Sequence, residues 1–413
     1  VSRTLERAFG AGRPILQSEH RRAVRRLAAE SGRERNLDRT GSRREPRRHP
    51  GIRPLINAAN ATRLRMHKRR ALITGITGQD GILLAEALLN KGYAVTGFGR
   101  RASILSRHDL KQLFSRIDIF QGDLVDSVDI ADAVQRCRPD EIYNLASQSA
   151  PALSWAQSLE TADATGVGAH RLFEAVRRFK FDCRIYQAST SEMFGAVRES
   201  PQSENTPFNP SNPYAAAKVY AHQMAKIYRD SYGMFICCGI LFNHESPYRR
   251  MHFLTQKIAY GAACAYLGIT QSAALNEEGE PIVNNGKLAL GNLEAARDWG
   301  HARDYVRAMW LMLQQAAPSD YVIGTGRLRT VRDLCAIAYG HVGRNWQDHV
   351  ASDRRFMRLA ETGATVADAT KASRELQWRA TTTLEELMAE MTDAQIKSLS
   401  RLHTQAGRSP RGE

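Results

Sequence analysis

Apolar and polar positions along residues 68–325 follow an α/β rhythm. Short apolar runs, each closed by a turn, are separated by longer stretches in which apolar residues recur at helical spacing. Arg70–Thr74 reads as a strand buried on both faces, and Ile82–Asn90 as the helix that follows it. The same pattern predicts strands at Tyr93–Phe98, Ile117–Gln121, Glu141–Leu145, Arg184–Gln187 and Phe235–Phe242. It predicts a long helix from Trp155 to Lys180 and another from Phe253 to Tyr266. Strands alternating with helices imply an α/β protein with a Rossmann-type doubly wound parallel sheet. The expected division is a nucleotide-binding domain over 68–242 and a smaller C-terminal α/β substrate lobe over 243–398. The lobe is interleaved with the last elements of the sheet at about 297–325.

Charge changes this picture only at the start of the chain. The net charge of +15 belongs mostly to residues 1–67, which hold 17 arginines, no lysine and six acids. With few large apolar residues, this segment is expected to be disordered, with at most a weak helix from Leu16 to Ala29. It lacks the apolar core of a secretory signal, and its six acids fit an organelle transit peptide poorly. An RNA-binding arm is disfavoured. A duller alternative is that the segment is not translated and that Met66 starts the chain. The remaining 346 residues carry only +4, which argues against a nucleic-acid-binding body. No apolar run reaches the roughly 18 residues of a membrane span. Six scattered cysteines imply free thiols, a reducing cytoplasmic location and no metal site. Residues 399–413 read as a loose polar tail.

Candidate chemistry sits at the ends of the predicted strands. Gly75-Ile76-Thr77-Gly78-Gln79-Asp80-Gly81 joins a strand to a helix, the setting of a dinucleotide pyrophosphate site. Arg100 and Arg101 stand where an acid would select NAD, so NADP is the expected cofactor. Asp123 and Leu124, then Leu145-Ala146-Ser147-Gln148-Ser149, close two further strands and are expected to line the cofactor. Tyr214 and Lys218, four residues apart, share one helix face. A lysine ammonium beside a phenol should lower the phenol's pKa, making it a base toward a sugar hydroxyl. Thr190 precedes that pair at a strand end and can hydrogen-bond the same hydroxyl. Glu192 is surplus to simple alcohol oxidation. A carboxylate beside a new ketone suggests a base for the adjacent carbon–hydrogen bond, against the alternative of a charge complementing a helix dipole.

These residues carry a resemblance to the GDP-mannose 4,6-dehydratases, of the extended short-chain dehydrogenase/reductase family. The stretches are ALITGITGQDG (71–81), GDL (122–124), EIYNLASQS (141–149), QASTSEMFG (187–195), NPYAAAKVYAH (212–222), GILFNHESP (239–247) and LGNLEAARDWGHARDYV (290–306). The resemblance implies an NADP-dependent lyase in which Tyr214 and Lys218 serve oxidation at C4, Glu192 takes the C5 proton and Thr190 assists. It adds His244 and Arg249 to the cofactor set. It implies GDP-mannose contacts from Ser191, Asn243, Lys257, Asn292, Arg297, Arg358 and Glu361, and a homodimer or homotetramer. Several positions depart from the usual pattern: Glu160 for Tyr, Arg250 for Gly, Gln256 for Arg, Leu359 for Pro, and Gln377 and Ala380 for the Gly and Pro of a turn. Residues 269–289 include an insertion of roughly 15 residues. Two other readings stay open: a nucleotide-sugar 4-epimerase or reductase, and an idle cofactor-binding scaffold with a basic arm.

Overall fold

The computed structural model describes residues 68–149, 151–357, 363 and 365–406. Residues 1–67, Arg358, Leu359 and Glu361 lie outside them. Seven strands form one parallel sheet: β1 (Arg70–Thr74), β2 (Ala94–Gly99), β3 (Asp118–Gln121), β4 (Glu141–Asn144), β5 (Arg184–Thr190), β6 (Ile236–Leu241) and β11 (Asp320–Ile323). Their order is β11-β6-β5-β4-β1-β2-β3, and every neighbouring pair is parallel. The order reverses between β1 and β4, so the loops after these strands open into a crevice at the sheet's C-terminal edge. One face packs on α1 (Gln79–Asn90) and α6 (Ala302–Met312), through Ile82, Leu84, Leu88, Tyr305 and Met309. The other packs on α2 (Ser127–Cys137), α3 (Gly168–Phe179) and α4 (Pro213–Tyr232), through Val134, Leu172, Phe173, Ala221 and Ala225.

The second lobe is built from α5 (Leu254–Leu267), α7 (Val331–His341), α8 (Leu384–Ala406) and two three-stranded sheets. One sheet joins β12 (Leu328–Thr330), β10 (Ala296–His301) and β7 (Asn243–Glu245); the other joins β13 (Val350–Ser352), β9 (Lys287–Leu290) and β8 (Val283–Asn284). Ile258, Ala262, Leu334, Tyr339, Leu387, Met388 and Met391 form its core.

Two expectations are corrected here. The run from Trp155 to Lys180 is not one helix. Short helices at Leu153–Ala156 and Ser158–Thr161 meet at Gln157, a π-helical turn follows at Ala162–Val167, and only then does α3 begin. The wide turn sets Gly166 against the backbone of Ala217 on α4. Of the expected tail 399–413, residues 399–406 instead continue α8, which buries Leu399, and 407–413 lie outside the described residues.

Gln377, in place of the glycine usual in the resembling family, holds φ at +51°, the left-handed region that costs a side chain about 1 kcal/mol. It is kept there because the next residue, Trp378, is buried and donates from Nε1 to the Asp304 carbonyl at 2.8 Å. Gln377→Gly should therefore stabilise the fold by up to about 1 kcal/mol, read by denaturant unfolding. An unchanged or lowered stability would contradict the strain argument.

Candidate active site

A buried polar row fixes the C-terminal edge of the sheet. Thr74 Oγ1 donates to Asn144 Oδ1 at 2.7 Å, and Asn144 Nδ2 donates to Gln187 Oε1 at 2.7 Å. Thr74 Oγ1 in turn accepts from the amides of Leu145 and Ala146 at 3.1 Å each. Every member is satisfied, so the loops after β1, β4 and β5 are held in one arrangement. Gly75 makes the turn out of β1 at φ +73°, where a Cβ would stand 2.9 Å from the Ala146 amide nitrogen. A Cβ on Gly81 would stand 2.5 Å from the Gly75 carbonyl oxygen, so only glycine lets α1 pack this close.

The glycine turn is tied to β7 and the residue after it. Gln79 Nε2 donates to the His244 carbonyl at 2.9 Å, and Ser246 Oγ donates to Gln79 Oε1 at 2.9 Å. His244 Nε2 lies 2.9 Å from Asp80 Oδ2, and its ring stacks on Tyr305 with centroids 4.6 Å apart. Burial pulls His244 down, but the charge and hydrogen bond of Asp80, with the Phe242 carbonyl, hold it above its ordinary 6.5. Burial pushes Asp80 up, but His244 and Gln79 hold it below its ordinary 3.8. The imidazole's contribution is complete below 6.5 and is lost as pH rises through its raised folded value. The carboxylate's contribution is present above 3.8 and is lost as pH falls through its lowered value. His244→Gln should thus cost more stability at about pH 5.5 than at about pH 8.5, by on the order of 1 kcal/mol. Equal losses at both pH values, measured by denaturant unfolding, would contradict this linkage.

The four expected catalytic residues come together at the end of β5. Asn212 caps α4, accepting from the Ala215 amide at 2.8 Å, and Pro213 begins the helix. This places Tyr214 and Lys218 in the first turns, both buried. The Thr190 hydroxyl hydrogen-bonds the Tyr214 phenol. Glu192 is close enough to act on that phenol electrostatically, and Asn212 Nδ2 donates to Glu192 Oε2 at 3.2 Å. Ser191, Glu192, Gly195 and Thr365 line a narrow pocket.

The expected effect of the lysine needs correction. Burial dominates at Tyr214 and pushes the phenol well above 10.0, while Thr190 and Arg249 pull it down. Lys218 Nζ stands 5.8 Å from the Tyr214 ring centre and donates to the Ala188 carbonyl at 2.8 Å. Burial brings Lys218 itself from 10.5 down to about 8. Spacing on a helix put the two groups on one face; it said nothing about the desolvation both would meet.

Around this centre the other candidates divide. Asp123 is engaged locally, accepting from the Val125 amide at 3.3 Å, and Gln148 donates its amide to Thr165 Oγ1 at 3.2 Å. Arg249 Nε lies 2.9 Å from Glu245 Oε2, with its guanidinium 3.5 Å over the Phe253 ring. Arg297 is buried and donates to the Ala296 carbonyl at 2.7 Å. Asn243 opens β7 opposite Trp299, and Asn292 accepts from the Glu294 amide at 2.9 Å. Lys257 is paired with Glu277. Arg100 and Arg101 are exposed, and Arg100 lies 3.9 Å from Glu160.

Sequence reasoning missed Arg107, and noted Arg250 only as a departure from the usual glycine. Arg107 donates to the Thr77 carbonyl of the glycine turn at 2.8 Å. With Ser106, Asp109, Tyr248, Arg249 and Arg250 it lines a cavity of about 360 Å³, and its guanidinium also donates to Asp109 Oδ2 at 2.6 Å. Burial lowers Arg250, and so do the like charges of Arg107 and Arg100. Three arginines, 107, 249 and 250, thus line this cavity, Arg107 balanced by Asp109 and Arg249 by Glu245, which leaves Arg250 as the net positive charge of its lining. Arg107 belongs to a polar stretch that carries no motif of its own.

A seven-stranded parallel sheet, a glycine turn at its switch point and a Tyr-x-x-x-Lys pair on the neighbouring helix define the extended short-chain dehydrogenase/reductase class. The solved dTDP-glucose 4,6-dehydratase of Bacillus anthracis, in complex with NAD, shares this fold. Its TM-score is 0.67 at 20% identity, covering 80% of this chain and 98% of that one. The model of the GDP-mannose 4,6 dehydratase family matches residues 72–391. GDP-mannose 4,6 dehydratase 1 of Arabidopsis thaliana is 42% identical over 346 residues, 81% of this chain and 91% of its own length. The human GDP-mannose 4,6 dehydratase is 40% identical over 354 residues, 79% of this chain and 91% of its own. The chain belongs to the GDP-mannose 4,6-dehydratase family.

Proposed function

We propose that this protein is a hydro-lyase that converts GDP-mannose to GDP-4-keto-6-deoxy-mannose with tightly bound NADP. One observation carries the reading: a carboxylate, Glu192, accepts at 3.2 Å from Asn212, the cap of the helix whose first turn holds the buried phenol of Tyr214, and so stands beside that phenol. Oxidation alone needs the phenol; loss of water needs the carboxylate as well. The site suits a dinucleotide, because the glycine turn leaves no side chain between backbone and pyrophosphate. The cations Arg107, Arg250 and Arg100 beside it suit the 2′-phosphate of NADP better than the bare hydroxyl of NAD. The nicotinamide, when bound, supplies the acceptor for the C4 hydride and its later donor to C6.

The chain's own residues handle the protons. Thr190 orients the C4 hydroxyl and Tyr214 takes its proton. Lys218, held on the Ala188 carbonyl, supplies positive charge below about pH 8. Once C4 is a ketone the C5 proton is acidic, and Glu192 removes it. Two protons are taken, from the C4 hydroxyl and from C5. Two are returned, to the departing C6 hydroxyl and to C5, so one water leaves and the redox state is restored. The buried walls of the site keep bulk water from this exchange.

The nucleotide contacts proposed from the resemblance are Ser191, Asn243, Lys257, Asn292 and Arg297, with Arg358 and Glu361 outside the described residues. A homodimer or homotetramer is proposed, in keeping with exposed Tyr220 and Ile227 on one face of α4. No described helix is long and apolar enough to cross a membrane. The cytoplasm is proposed as the location, since all six cysteines are free. Incubation with GDP-mannose and catalytic NADP, followed by mass spectrometry, should show loss of one water. A product of unchanged mass with C4 inverted would instead make the protein an epimerase.

A further inference from the structure

The insertion after α5 is an ordered hairpin with an acidic tip. Ser272 and Ala274 pair with Val283 and Ile282, and Asn276 closes the turn at Gly279. The Asn276 side chain accepts from the amides of Glu278 and Glu280 at 3.0 and 2.9 Å, which fixes the tip. The tip holds cations on two other elements. Both oxygens of Glu277 lie 2.7 Å from Lys257 Nζ on α5. Glu278 and Glu280 each lie 3.1 Å from Arg355, in the turn after β13. Burial pushes Glu277 up, but the Lys257 hydrogen bond and charge, and His252, hold it below its ordinary value.

Lys257 is not an isolated surface cation. His252 is influenced by Arg250, Arg249, Glu277 and Lys257 together, and Arg249 in turn acts on the Tyr214 phenol. Arg249, itself paired with Glu245, and Arg250 thus precede α5 on the stretch that leads to Lys257, whose side chain is only 14% exposed. On the functional reading above, Lys257 is one of the cations that hold the nucleoside diphosphate whose sugar lies at Tyr214.

We propose that the hairpin tip is a resident anion: Glu277 occupies the cation that the substrate's diphosphate would use, and must give it up for the substrate to bind. This rests on the functional reading above and adds to it a residue that sets substrate affinity. The carboxylate stands in for a phosphate, so the hairpin raises the threshold for weakly charged nucleotides and leaves the chemistry at Tyr214 and Glu192 untouched.

The test compares wild type with Glu277→Gln, an isosteric change at a half-exposed position that should not disturb folding. GDP affinity is measured by calorimetry, and KM and kcat for GDP-mannose by keto-product formation. The variant should bind GDP roughly two- to fivefold more tightly, the scale of one partly exposed ion pair. KM should fall in parallel, with kcat and NADP affinity unchanged. Lys257→Gln in the Glu277→Gln background should cancel the gain. Unchanged or weaker GDP binding in Glu277→Gln would overturn the proposal while leaving the dehydratase reading intact. A wild type that neither binds GDP nor dehydrates GDP-mannose would overturn that reading first, and this inference with it.

Discussion

Glu192→Gln should reduce keto-product formation by about 10²- to 10⁴-fold, the scale of one positioned general base, while GDP-mannose still binds. An amide has almost the shape of the carboxylate. Its oxygen can still accept from Asn212 Nδ2, which lies 3.2 Å from Glu192 Oε2, so the loop after β5 should keep its form. What the amide cannot do is take a proton from C5. Oxidation at C4 depends on Thr190, Tyr214 and Lys218, which the substitution leaves in place. The variant should therefore accumulate reduced cofactor when given GDP-mannose, seen as near-ultraviolet absorbance, with little water lost. Dehydration within tenfold of wild type would show that another group takes the C5 proton.

Tyr214→Phe should abolish oxidation and dehydration together, by a further loss of about 10²- to 10⁴-fold at every pH. The phenol is buried and touched by Thr190, and the missing oxygen would leave no other base on the C4 hydroxyl among these residues. Wild type should carry a pH signature that the variant cannot restore. Burial raises the phenol, so activity should climb with pH as the phenol ionises more readily. Burial lowers Lys218 to about 8, so the positive charge is lost above that value and kcat/KM should stop rising and level off there. A profile that keeps rising to about pH 10 would remove Lys218 from this role.

The local motifs were legible because each is a short-range geometric device. Gly75 and Gly81 announce a turn that no side chain fits, and Tyr214 with Lys218 announces one helix face. Features assembled from distant parts of the chain were not legible. Arg107 and Arg250 meet beside the glycine turn only after α1 and the loop after β7 have packed. Glu277 meets Lys257 only through the hairpin. The pKa of Tyr214 was misjudged because burial outweighs a neighbouring charge and leaves no trace in residue spacing. The end of α8 carries a helical signal of its own. Leu387, Met391 and Leu399 fall at helical intervals and are buried, a pattern hidden by the polar residues between them.

The most direct measurement follows one hydrogen. GDP-mannose carrying deuterium at C4 is turned over with catalytic NADP, and the product is read by mass spectrometry and NMR. The account predicts a product lighter by one water, with the deuterium at C6 and none left on the released cofactor. Deuterium washed into solvent, or still at C4 of a sugar that has lost no water, would contradict it.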